Sequence, residues 1–351
     1  MYEFSSINKY RRFLFGIATI WIAWFHSYML DFSKVEALSF LNFGFLFEIL
    51  KRLGNIGVDI FLLLSGIGLY FSFSKNPNLI QFYKKRIIRI LPCSVILVLI
   101  VTYLSHVETL RLFIIRVTFL NFLFFRDDDQ TFWYIPAILL LYLLFPVFYH
   151  VIQKFKLPGA LILIAISCVI TAIAFFVNFE MFFYQWEMLL TRIPVFIVGI
   201  LMARVIKNEK KLSNEKALIL CLLGLIYMIA IHIIDLFITQ RYIFVWHYLY
   251  LPLAVFLVFF FSYIRSHVRL AIIVKPIEFV GDFSLEMYLI HQSLYYFLLG
   301  KISFFNDHQL IYAILIILAS IVLSFILKTL IDMLFKLFKS HKVSSGKKGE
   351  A

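Results

Sequence analysis

Apolar stretches recur along the chain at 13–32, 54–73, 88–106, 132–152, 159–177, 189–206, 215–236, 246–263, 283–300 and 310–335. Each approaches the roughly 20 residues that a helix needs to cross a hydrocarbon core about 30 Å thick. Only helices or closed barrels satisfy their backbone polar groups in lipid, and runs of this length favour helices. The pattern therefore predicts an all-α integral membrane protein, a bundle of about ten transmembrane helices. Composition agrees: 63% of the 351 residues are hydrophobic and 15% charged, with a mean hydropathy of +0.94, which excludes an ordinary soluble domain. No long hydrophilic insert or linker interrupts the runs, so a single integral-membrane domain is expected over 1–340. A basic, disordered cytoplasmic tail is expected over 341–351.

The net charge of +13 would point to nucleic acid in a soluble protein, but here it follows topology. With the N-terminus inside, most of the 33 Lys and Arg residues fall on inner segments, so both termini are expected in the cytoplasm. Membrane lipids replace nucleic acid as the expected partner, and the expected location is multi-pass in the cell membrane, the inner or plasma membrane of a bacterium. The N-terminal apolar run carries a histidine and lacks a clear small-residue cleavage site, so no cleaved signal peptide is expected. Cys93, Cys168 and Cys221 all fall within apolar runs and read as core residues. The outer segment 106–130 includes an amphipathic piece suited either to the interface or to dipping into the bundle. Its Asp127, Asp128 and Asp129 read as a solvated turn, since no further ligand lies nearby, and no metal is expected. No internal repeat is evident, which argues against a transporter built from two related halves.

Ionisable residues inside hydrocarbon cost free energy and usually mark a site. His26 lies two-thirds of the way along the first apolar run, and Asp59 lies in the second. Helical rise places both at similar depth beneath the outer surface, where a carboxylate accepting the imidazole N–H would fix the tautomer of a general base. The alternative is a hydrogen bond that merely joins two helices. In the ninth run Ser284, Tyr288, His291 and Tyr295 share one helix face, with Glu286 on the other side near the inner end. Such a stripe faces protein or water, and His291 reads equally as site-lining or as structural. In the inner segment QFYKKRIIRILP, Arg86 and Arg89 share a face and suit phosphate recognition, although positive-inside topology alone places basic residues there. Trp133 and Tyr134 sit where an aromatic belt is expected. Gly57, Gly66 and Gly68 suit close helix packing.

Five segments in this order, GIATIWIAWFH (16–26), GNIGVDIFLLLSG (54–66), FYKKRIIRILP (82–92), FWYIPAILLLYLLFP (132–146) and FVGDFSLEMYLIH (279–291), resemble acyltransferase family 3. These membrane proteins move acyl groups onto hydroxyls of sugars and other acceptors. The resemblance implies an O-acyltransferase with acetyl-CoA as donor substrate, phosphates held near Arg86 and Arg89, and His26 as general base or acyl relay oriented by Asp59. It also implies a cell-surface or lipid-linked glycan acceptor, with Trp133, Tyr134, Ser284, Tyr288 and His291 as candidate substrate contacts. One position departs from the family pattern. A basic residue is expected eleven positions before the first-span histidine, where this chain has Phe15; Arg11 and Arg12, one turn earlier, are the candidate replacements. The rival reading is a proton-coupled transporter in which His26, Asp59 and His291 form a relay.

Overall fold

The structure, a computed structural model, describes residues 1–27, 50–104, 109–124, 132–208, 210–235, 245–268, 270–298 and 308–346. Helices dominate it: α1 (Ser5–Lys9), α2 (Arg11–Phe25), α3 (Ile56–Lys75), α4 (Leu79–Leu104), α5 (Leu110–Val117), α6 (Leu120–Phe124), α7 (Tyr134–Val177), α8 (Phe179–Met181), α9 (Glu187–Leu190), α10 (Ile193–Lys207), α11 (Asn214–Asp235), α12 (Val245–His267), α13 (Ala271–Asp282), α14 (Ser284–Leu298) and α15 (Gln309–Gly346). Among the described residues, seven helical stretches are long and apolar enough to cross a membrane, against the ten expected. One of them, α7, joins the expected fourth and fifth spans through a break at Lys156, whose φ of 58° is non-helical. The expected first and ninth spans correspond to 15-residue helices, α2 and α14. Residues 28–32 at the end of the first span, Asp127, Asp128 and Asp129, and residues 347–351 of the tail lie outside the described residues. Helix α15 runs to Gly346, through the beginning of the segment expected as tail, because no glycine or proline interrupts it earlier.

Burial separates the helices by role. α3 is apolar on all sides, as a central helix must be, and nearly all of it from Ile56 to Leu64 is buried. It packs against α2, α10 and α12. By contrast α7, α11 and α15 leave Ile162, Ile173, Leu222, Ile226 and Leu318 exposed, the lipid-facing surface of a membrane bundle. The hairpin between α3 and α4 follows from its sequence: Asn76 precedes Pro77 and is extended (φ −149°, ψ 96°). The Asn76 side chain then accepts from the Asn78 amide, and the Asn78 side chain from that of Gln81, which starts α4.

Small residues set the closest approaches. A Cβ on Gly199 of α10 would lie 2.3 Å from the Leu63 carbonyl oxygen of α3, and one on Gly66 2.6 Å from that of Phe196. Helix α13 crosses α2 just as tightly: Gly281 faces the Arg12 carbonyl and Gly16 that of Ile277, each with room for no Cβ. The α2–α3 pair is antiparallel, with Gly54 against Trp21 and Phe25, Gly57 against Ala18 and Ile22, and Gly68 against the Arg11 guanidinium. At the same end of the bundle as Arg11, residues Tyr2–Glu3 pair antiparallel with Lys211–Leu212, and the Tyr2 hydroxyl meets that of Ser262. Cys93 and Cys221 are buried and all three cysteines are free thiols.

Because the Gly199 contact is with backbone, it cannot be relieved by rotating a side chain. Gly199→Ala should destabilise the bundle by about 1–3 kcal/mol, seen as a lowered unfolding temperature in detergent. Ile173→Ala, on the lipid face, should leave that temperature nearly unchanged.

Candidate functional site

Helix α2 carries Arg11 at its first turn and is followed at its far end by His26, so two kinds of chemistry lie on one element about 22 Å apart. At the Arg11 end, α2, α3, α4, α7, α13 and α14 enclose a cavity of ≈ 450 Å³ whose lining includes Arg11, Arg86, Arg89, Phe15, Tyr134, Tyr142, Ser284 and Tyr288. Glycine 68 makes room for the Arg11 guanidinium, because a Cβ there would come within 2.6 Å of Nη1. Arg11 reaches the Asn8 side chain at 3.4 Å. Arg86 lies over the rings of Phe82 and Tyr142, at 5.4 and 6.0 Å, and its buried Nε has no hydrogen-bond partner.

The two replacement candidates for the family's basic position are separated by the fold. Arg11 lines the cavity beside Phe15, whose ring meets Phe61 edge-on at 5.2 Å. Arg12 points away, is 63% exposed and is forked onto Asp282. Adjacent helix positions diverge by about 100°, so only one of the two can face inward. Arg89 is engaged rather than free: its two terminal nitrogens donate to the two oxygens of Glu286 at 2.5 and 3.1 Å. Glu286, on the side of α14 opposite the polar stripe, is fully buried, since a carboxylate in the bundle needs a cationic partner.

The cavity ends at an aromatic pair. Tyr134 and Tyr288 lie 4.9 Å apart, and beyond them the Tyr288 ring is 5.8 Å from that of His291. His291 Nε2 lies 3.0 Å from His26 Nδ1. Backbone carbonyls hold both rings, His291 Nδ1 at 2.9 Å from Met287 O and His26 Nδ1 at 2.9 Å from Ile22 O. A carbonyl only accepts, so His291 carries its proton on Nδ1 and, when neutral, presents a lone pair at Nε2. His26 then donates from Nδ1, shared between Ile22 O and His291, and its own Nε2 holds the lone pair that a base requires. The polar stripe of α14 is thus turned inward throughout, with Ser284 and Tyr288 on the cavity, His291 on His26 and Tyr295 buried against Tyr312.

Asp59 does not orient His26. Neither of its carboxylate oxygens is hydrogen-bonded, and its ion pair is with Arg192 Nε at 3.4 Å. The α2–α3 register explains the discrepancy. Gly57 opposite Ala18 and Ile22 leaves Asp59 facing the region of Ala18, roughly 12 Å along the axis from the level of His26. The expectation of equal depth fails because the helical stretch of α3 begins at Leu50 and α2 ends just before His26.

Arg192 gathers a second polar group. It donates to Asn55 Oδ1 at 3.0 Å and Met188 O at 3.2 Å, lies 3.4 Å from His247 Nε2, and stacks over Trp133 at 5.2 Å. His247 Nε2 is 2.8 Å from Glu187 Oε1. Trp133, placed by its sequence position in an aromatic belt, is buried against this guanidinium instead. Sequence reading passed over Arg192, Glu187 and His247, although the test that singled out His26 and Asp59, an ionisable group within an apolar run, applies equally to Arg192 and His247.

A family model described as an acyltransferase domain matches residues 14–329. No curated protein and no solved structure matches the chain.

The Arg89–Glu286 pair is asymmetric, with Arg89 partly exposed and Glu286 buried. Arg89→Ala strands a buried carboxylate and should cost about 3–5 kcal/mol, whereas Glu286→Gln should cost distinctly less. Thermal unfolding of the two variants in detergent checks the order.

Proposed function

The chain belongs to the acyltransferase family whose model spans nearly all of it, and from that membership we propose that it is a membrane O-acyltransferase. It takes an acyl group, acetyl in the first instance, from cytoplasmic acyl-CoA and delivers it to a hydroxyl of a cell-surface or lipid-linked glycan. One observation carries this reading: an arginine-lined cavity ends at two tyrosines, and behind Tyr288 stands a histidine pair held in the tautomer that leaves one basic nitrogen. The acyltransferase membership favours it over a proton-coupled transporter.

In this scheme the donor's phosphates sit among Arg86 and Arg11, with Arg89 beside them already neutralised by Glu286. Guanidinium forks suit phosphate oxygens. The pantetheine arm passes Ser284 and runs along the Tyr134–Tyr288 pair, bringing the thioester toward His26. An acceptor hydroxyl has a pKa far above neutrality and needs its proton removed as it attacks. His26 Nε2 takes that proton while the hydroxyl oxygen bonds to the thioester carbon. Collapse of the tetrahedral adduct breaks the carbon–sulfur bond, and the thiolate of CoA receives the proton from His26. The balance is one ester formed, one thioester broken and no net proton. His291 is a positioning residue, because its Nε2 fixes the His26 proton on Nδ1 throughout.

Proteoliposomes given radiolabelled acetyl-CoA and deacylated glycan test this. His26→Ala should lower transfer by about 10²–10⁴-fold, and undiminished transfer would remove His26 from the chemistry. His291→Ala should lower kcat by roughly 10²-fold, through loss of orientation, with the KM for acetyl-CoA little changed. A separate pair of titrations places the donor: Arg86→Ala should raise the KM for acetyl-CoA more than that for the glycan, and the reverse pattern would refute the phosphate assignment.

A further inference from the structure

A second recess, of ≈ 320 Å³, lies between α4, α7 and the junction of α5 with α6, and nothing in the reaction scheme uses it. Helix α4 turns one stripe toward it, Tyr83, Arg86 and Ile87, and α7 another, Pro136, Leu139, Leu140 and Leu143. Both stripes have the spacing of a single helix face. Arg86 and Tyr142 also line the larger cavity, so the two spaces share a wall. Two lining residues, Ile87 and Leu143, are 48 and 60% exposed, which opens the recess to the surrounding bilayer. Water would find few polar partners among these side chains, whereas the size and apolar lining are those of a ligand site. The remaining wall is Thr118 and Phe119. Phe119 is buried with a φ of 58°, a left-handed conformation that costs a bulky residue free energy and that clusters where ligands are clamped.

We infer that this recess holds one acyl chain of an anionic membrane phospholipid, with the lipid phosphate outside it at Lys84. Lys84 shares the turn of α4 that carries Tyr83 and Ile87, near the hairpin with α3. It is exposed and, among the described residues, has no ion pair. Its long side chain can reach the headgroup level while its stem stays against apolar surface. A chain that moves from the bilayer into the recess exchanges one hydrocarbon surrounding for another, so burial alone supplies little preference. Selectivity therefore falls to the charge of the headgroup, and the nearest charges are cationic: Lys84, Lys85 and Arg86 in succession. Such a cluster beside a membrane surface attracts anionic lipid. The site stands whether or not the chain transfers acyl groups, since the larger cavity and the histidine pair take no part in it.

The experiment uses full-length protein in nanodiscs of mixed phosphatidylglycerol and phosphatidylcholine, released into mild detergent, with retained lipid identified and counted by native mass spectrometry. The wild-type protein should keep one phosphatidylglycerol in preference to phosphatidylcholine. Leu140→Trp fills the recess from α7 and should lower that retention about tenfold. Ile173→Trp, on a lipid-facing surface outside the recess, should leave it unchanged. Lys84→Gln should lower the preference for phosphatidylglycerol over phosphatidylcholine about fivefold. Unfolding temperature reports whether each variant folds, and should Leu140→Trp fail to fold, Leu139→Phe, a smaller filling, carries the same expectation. Loss of all lipid from the wild-type protein, or wild-type retention in a folded recess-filling variant, would show an empty groove wetted by bulk lipid and overturn the proposal. Equal retention of the two lipids by the wild-type protein would overturn it too, because the phosphate would then have no part in recognition.

Discussion

Ionisable side chains placed in hydrocarbon must find partners or function, and this constraint organises the interior of the bundle. Glu286 is buried because Arg89 forks onto it, and Asp59 because Arg192 stands beside it. His26 and His291 are held by each other and by two backbone carbonyls. These groups are not scattered. They fall into an arginine-lined cavity at one end, a histidine pair past its aromatic rim, and a mixed-charge cluster around Arg192, with aromatic rings connecting all three.

That arrangement suits a reaction whose two substrates arrive from opposite sides of a membrane. A polyanionic donor needs fixed cations near its entry and an apolar passage for its neutral arm, and Arg86, Arg11, Tyr134 and Tyr288 offer both. In the proposed reaction the hydroxyl needs a base whose lone pair is already oriented, and the carbonyl of Met287 sets that orientation through His291. Glycines make the frame possible. Contacts at Gly16, Gly199 and Gly281 bring backbones so close that no side chain intervenes, which holds α2, α3, α10 and α13 at fixed separations around the cavity.

Much of this was legible in the residues alone. Apolar run lengths determined an all-helical membrane protein, because hydrocarbon leaves the backbone few other ways to satisfy its hydrogen bonds. His26, Asp59 and the α14 stripe stood out because polar groups in apolar runs are costly, Arg86 because it shares a helix face with Arg89 in a basic inner segment, and the five ordered segments marked the acyltransferase family, whose model covers 14–329. What only the tertiary structure decided was partnership. Helical rise suggested that Asp59 should meet His26, but the register of α2 on α3, set by glycine contacts such as Gly57 on Ala18 and Ile22, carries Asp59 to Arg192 and leaves His291 beside His26. Arg11 and Arg12 are indistinguishable by composition, and the rotation of α2 against α13 sends one into the cavity and the other to Asp282. Sequence sets which groups must be satisfied; packing, through register and rotation, sets by whom.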